Sequence, residues 1–164
     1  MTIFKIIQIL KMSFFLPTFF REFRIYFNHQ KEQSLIRPAS KNLHLTVSIH
    51  VIIPIALAYG LYPQKILPLL FDFKVDAINL ANIFRAMMGL YLGMSVIWIM
   101  GIIKSKLWVT ATITNITFMG GLALGRLISL ALDGVPGIYF LIGFLLESVL
   151  AIWGLKNLKK YGAD

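Results

Sequence analysis

The chain has no cysteine among its 164 residues. That excludes a disulfide framework, a thiolate metal site and a cysteine nucleophile, and it removes the usual clue to redox compartment. Charge is also scarce, since Asp, Glu, Lys and Arg make up 14% of the residues, against about 25% in an ordinary soluble domain. Acidic residues are the scarcer sign, 7 against 16 basic. The sequence also shows no phosphate-cradling glycine loop and no nucleophile and base pair at a catalytic spacing. His29, His44 and His50 have no tight ligand spacing with carboxylates, so neither a metal nor a cofactor is expected. What is abundant is apolar: 58% of residues are hydrophobic and the mean hydropathy is +0.77. Such a chain belongs in lipid, and its first partner is the bilayer.

A spanning helix needs about 20 predominantly apolar residues. Four segments qualify, over 43–61, 80–103, 107–132 and 137–155, and short connections make neighbouring spans antiparallel. The net charge of +9 would suggest nucleic acid in a soluble protein, but here it reports topology, so no nucleic acid is expected. Twelve Lys and Arg flank the spans on the side of the two termini, and only Lys65 and Lys74 lie on the other. By the positive-inside rule both termini are cytoplasmic, in a multi-pass protein of a bacterial inner membrane.

Residues 1–42 precede the first span. Their aromatic and basic stretch "FKIIQILKMSFFLPTFFREFRIYF" is broken by Pro17, and its longest uncharged run is too short to span. No small-residue cleavage pattern follows it, which argues against a signal peptide. The stretch reads as an interfacial arm on the anionic leaflet or as a segment that docks on a membrane-protein partner. "NHQKEQSLIRPASKN" (28–42) reads as a polar linker, and residues 157–164 as a cytoplasmic tail. Between the first two spans, "YPQKILPLLFDFKVDAIN" is apolar but carries Pro63 and Pro68, which argue against a continuous helix. It is expected to lie along the outer interface or to pack as a loop over the mouth of the bundle.

Three spans carry stripes of small residues beside a charge: Asn82, Arg85, Ala86, Gly89 and Gly93; Thr114, Thr117, Gly121, Gly125 and Ser129, with Arg126 adjacent; and Gly143, Glu147, Ala151 and Gly154. Two are G-x-x-x-G patterns, which let helix backbones approach where lipid supplies no hydrophobic drive, so all three faces are expected to point inward. A rise of about 1.5 Å per residue places Arg85 and Arg126 roughly 8 to 9 Å below the outer boundary, with Glu147 about 15 Å deep. Asp133 stands at the mouth. Arg85, Arg126, Asp133 and Glu147 sum to zero charge, and leaving any of them unpaired in lipid is expensive. They form either an ion-paired pocket, with Ser129 on its rim, or an interhelical clamp. His50 lies on the face of Thr46 and Pro54 in the first span and reads as a packing residue or a proton acceptor. "DGVPG" (133–137) supplies turn residues between the last two spans.

Taken together, "FRAMMGLYLG", "GRLISLALDGVP" and a Glu in the middle of the last span resemble a group of small bacterial membrane proteins, domain of unknown function 4345. The resemblance covers about residues 43–156 and implies a compact four-helix bundle. It implies that Arg85, Gly125, Arg126, Ser129, Asp133, Gly134, Pro136 and Glu147 carry the family's pattern, and it implies no activity. The arm departs from that compact plan, which leaves open either Met12 as the start or a partner for this member.

The sequence therefore predicts an all-α membrane protein, a four-transmembrane-helix bundle with an N-terminal interfacial arm. Its first functional reading is a non-enzymatic protein that binds a small anionic or amphipathic ligand, a lipid headgroup or a quinone-like molecule, at Arg85, Arg126, Ser129, Asp133, Glu147 and His50. The second is an accessory or scaffolding subunit of a larger membrane complex. The third is a membrane-embedded enzyme or proton-coupled carrier that uses Glu147.

Overall fold

The structure, a computed structural model, describes residues 39–71 and 73–162. The expectations for the arm fall on residues 1–38, outside the described residues. Every described element is helical: α1 (Ala39–Gly60), α2 (Pro63–Phe71), α3 (Ile78–Ile103), a 3-10 turn (Ser105–Leu107), α4 (Trp108–Leu132) and α5 (Ile138–Tyr161). The four long helices are each long and apolar enough to cross a membrane, as a multi-pass membrane protein requires. A helix satisfies its backbone hydrogen bonds internally, the condition lipid imposes on a spanning segment, and in α1 Pro54 withholds one such bond from the His50 carbonyl.

Two of these helices outrun the apolar runs that predict them. Residues 39–42, expected as linker, open α1, and residues 156–161, expected as span end and tail, complete α5. The reason is mutual satisfaction of polar ends. Lys41 Nζ donates to the Tyr161 carbonyl at 3.2 Å, the Ser40 and Tyr161 hydroxyls are 3.2 Å apart, and the Lys41 ammonium lies 4.5 Å over the Trp108 ring.

The segment after α1 is a helix, not the loop that its prolines suggest. Pro63 takes the first helical position, where its missing N–H costs nothing. Pro68 falls late in a nine-residue helix, and buried Pro63 and Leu67 anchor that helix on α1 and α3. α2 thus packs over one end of the bundle.

The long helices form a ring in which α1 and α4 each touch both α3 and α5. Lys104 and the 3-10 turn reverse the chain between α3 and α4, and residues 133–137 reverse it between α4 and α5. Gly134 adopts a φ of +99° in that second turn, a backbone state that glycine alone adopts freely.

Which face of each helix turns inward corrects the small-residue expectation. α3 buries Ala81, Tyr91, Ser95, Trp98 and Gly101, and leaves Asn82, Arg85, Ala86, Gly89 and Gly93 on the outside. In α4, Trp108, Ala111, Thr112, Asn115, Met119 and Ala123 face in, whereas Gly121 and Gly125 are exposed. Dispersion decides this. Positions two apart lie about 200° round a helix, so Tyr91 and Gly89 or Gly93 cannot face the core together, and a ring offers far more contacts than a hydrogen. Of the expected stripes, only the one on α5 points inward, with Glu147, Ala151 and Gly154 buried.

The glycines that do allow close approach between helices are Gly60, where a Cβ would collide with that of Met88, Gly101, where it would collide with that of Ala111, and Gly154, where it would stand 2.8 Å from Ile116 Cγ1. We therefore expect Gly101→Val to destabilise the protein by on the order of 3 kcal/mol, because it pries α3 from α4. Gly89→Ala should be neutral or stabilising by up to about 1 kcal/mol, since a Cβ there meets nothing. Thermal unfolding in detergent checks both, and equal losses would contradict this assignment of faces.

Candidate ligand site at the α2 end

In antiparallel α4 and α5, each side chain leans toward the N-terminus of its own helix, so Arg126 leans down the bundle and Glu147 leans up. They meet. Arg126 Nε donates to Glu147 Oε2 at 2.8 Å and Nη2 to Oε1 at 3.0 Å, a bidentate pair. Glu147 is 7% exposed. Gly143, one turn above Glu147, makes room for the guanidinium: a Cβ there would lie 3.4 Å from Cζ and Nη2. The Phe140 ring stands 5.7 Å from the same Cζ.

Arg126, held by Glu147 behind it, lines one side of a cavity of about 330 Å³. Its walls are aromatic. Tyr59 from α1 stands 5.7 Å from Phe84 and 5.8 Å from Tyr91 on α3, and Phe71 at the end of α2 stands 4.8 Å from Phe140 on α5. Gly121 and Gly125 form the α4 wall, and a Cβ on either would meet nothing within 4 Å. Both glycines are exposed, so the cavity opens past α4 to the surroundings of the bundle. A smaller recess of about 60 Å³, lined by Arg126, Ser129, Pro136 and Phe144 among others, lies on the other side of the guanidinium.

The cavity has a structural cause. Near their connecting turn, α3 and α4 touch through Gly101 and Ala111. Further along, Phe118 of α4 stands edge-on between Trp98, at 5.7 Å, and Tyr91, at 5.0 Å. These rings hold the helices apart, and beyond them the two glycines cannot fill the gap.

Of the residues expected to converge, Arg126 and Glu147 do. Ser129 and Asp133 pair with each other instead, Ser129 Oγ donating to Asp133 Oδ2 at 2.8 Å, while the Asp133 N–H donates to the Ser129 carbonyl at 2.7 Å. They close the last turn of α4 at the mouth. Arg85 lies on the outer face of α3 and is not joined to the cluster. His50 is also on the outside, its Nδ1 2.8 Å from the Thr46 carbonyl of the preceding turn. The expected four-charge group is thus one ion pair, one local helix-end pair and one outlying arginine.

The sequence reading missed the cage of Tyr59, Phe71, Phe73, Phe84, Tyr91 and Phe140. Five of these rings lie in four different helices and Phe73 lies in the connection after α2, and only the concentration of Phe and Tyr toward one end of the spans hinted at them. The sequence pattern described as Domain of unknown function (DUF4345) matches residues 40–156. No curated protein and no solved structure gives a significant match.

Proposed function

We propose that this chain, which belongs to the family described as Domain of unknown function (DUF4345), binds a small amphipathic molecule, electrically neutral and ring-bearing, in the aromatic cavity beside Arg126. The observation that carries this reading is an arginine in the wall of an aromatic cavity, neutralised by a bidentate bond to a glutamate that does not line it. Of the five guanidinium N–H donors, Glu147 takes two and the Tyr59 hydroxyl stands within reach of another, and the rest can still donate. An anion would meet the Glu147 charge a few ångströms away, and Arg85 is too far outside to offset it. An uncharged carbonyl accepts a charge-assisted hydrogen bond without that repulsion. A planar head fits between Tyr59, Phe84 and Phe140, and at about 330 Å³ the space suits one ring and its substituents. An apolar tail leaves past Gly121 and Gly125 into lipid. A quinone-like molecule meets all three requirements better than a lipid phosphate does.

Native mass spectrometry of the gently extracted chain tests this reading. The expected result is one neutral, ring-bearing amphiphile per chain, lost in Gly125→Leu. A stoichiometric protein partner with no small molecule would favour the accessory-subunit reading, for which the outward face of Arg85, Gly89 and Gly93 on α3 is the natural contact.

Orientation rests on the basic residues. Lys41, Lys104, Lys106, Lys156, Lys159 and Lys160 gather at the end of the bundle where α1 begins and α5 closes, against Lys65 and Lys74 at the α2 end. We therefore place the termini in the cytoplasm and the cavity toward the outer side of a bacterial inner membrane. A reporter fused after Asp164 should be active as a cytoplasmic fusion, and periplasmic activity would reverse the assignment.

A further inference from the structure

At the opposite end from the cavity, α1, α4 and α5 enclose a second polar cluster that the ligand reading does not use. It comprises His44 on α1, Trp108, Thr112 and Asn115 on α4, and Asn157 on α5. His44, Thr112 and Asn115 are each 0% exposed. Asn157 Nδ2 lies 2.9 Å from His44 Nδ1 and 3.5 Å from the Lys41 carbonyl. A carbonyl only accepts, so the amide nitrogen is the Asn157 atom that faces both groups, and it donates to Nδ1. In a neutral imidazole the ring proton then sits on Nε2.

That Nε2–H donor is buried and has no partner among the described residues. The same holds for both amide atoms of Asn115, the Thr112 hydroxyl and the Trp108 Nε1–H. These groups are neighbours. The point where a Cβ of Gly154 would stand is 3.6 Å from Asn115 Oδ1 and 3.6 Å from His44 Cδ2, the atom bonded to Nε2. Trp108 stands edge-on to the imidazole, with ring centroids 5.9 Å apart. Thr112 is one turn from both Trp108 and Asn115 on the buried face of α4. Enclosed polar groups of native proteins are almost always satisfied by protein or by ordered water, and several unpartnered donors and acceptors meeting at one place match what water offers.

We propose that this cluster is an internal hydration site, in which a buried water accepts from His44 Nε2–H and donates to Asn115 Oδ1, with the Thr112 hydroxyl as a further partner. His44 is then a fixed, neutral element of the bundle, held by Asn157 on one nitrogen and by water on the other.

The test is NMR of the full-length chain, labelled with 15N-histidine, in lipid nanodiscs. Expected are a proton-bearing Nε2 at His44, a bare Nδ1, and a cross-peak from the Nε2 proton to a slowly exchanging water. In Asn115→Leu the water cross-peak should disappear while the tautomer persists, and in Gly89→Ala both should remain. A proton on Nδ1 in the wild-type chain, or an Nε2 proton with no water cross-peak, would overturn the proposal without recourse to any variant.

Discussion

Arg126→Ala should destabilise the folded protein by about 3 kcal/mol, the lower end of what breaking a buried ion pair costs. The lower end applies because the Arg126 side chain keeps 23% of its exposure and that of Glu147 only 10%. Removing the guanidinium strands a carboxylate whose two oxygens both accept from it. Glu147→Gln keeps the shape but leaves the cation without its counter-charge, and should cost about 2 kcal/mol. The double change Arg126→Ala with Glu147→Gln should cost clearly less than the two single losses together, with a coupling energy on the order of 2 kcal/mol, because no charge is then stranded. Arg126→Lys should behave almost as badly as Ala, since an ammonium cannot reproduce the two parallel bonds. Reversible unfolding in mixed micelles reads all four variants. Strictly additive losses would mean that the two residues do not act as a pair.

Gly125→Leu should leave stability unchanged or raise it by up to about 1 kcal/mol, since glycine is a poor residue for a helix interior, while weakening ligand binding at least about tenfold, or 1.4 kcal/mol. The separation of the two effects follows from geometry. A Cβ at Gly125 meets nothing within 4 Å, so the new side chain enters the cavity without displacing protein. Gly89→Leu is the matching control, because that glycine is equally open but lies on the outer face of α3 and does not line the cavity. Its binding should equal that of the wild type. A Gly125→Leu protein that unfolds more readily would show that the space is not open, and one that binds normally would remove the ligand from this cavity.

Most of the fold was legible because lipid imposes strong rules on composition. Apolar runs located the four long helices, and the Asp-Gly-Val-Pro-Gly turn marked one reversal. The limits of α1 and α5 were not legible, because Lys41, Asn157 and Tyr161 look like solvated ends until they bond to one another. α2 was hidden by Pro63 and Pro68: the first costs no hydrogen bond at its opening position, and the second removes a single one, to the Gln64 carbonyl. Small-residue spacing misled for α3 and α4. The spacing identified the glycines of one face correctly, but Tyr91 and Trp98 on the other face compete for the interior and win it by contact area. Within the site, Arg126 and Glu147 were found because charge in a span demands a partner. Arg85 lies on the outer face of α3, away from this pair, and His50 meets the demand through the carbonyl of Thr46. The aromatic cage and the His44 cluster each draw on several helices, so no local pattern could reveal them.

The central claim is that the aromatic cavity beside Arg126 binds a neutral, ring-bearing amphiphile, and calorimetric titration of the chain in nanodiscs with a short-chain benzoquinone addresses it most directly. The account predicts saturable binding of one molecule per chain, weakened at least about tenfold by Gly125→Leu and unchanged by Gly89→Leu, with an alkyl phosphate of similar length binding more weakly than the quinone. Non-saturable partitioning that is the same in the wild type and in Gly125→Leu, or tighter binding of the alkyl phosphate, would contradict it.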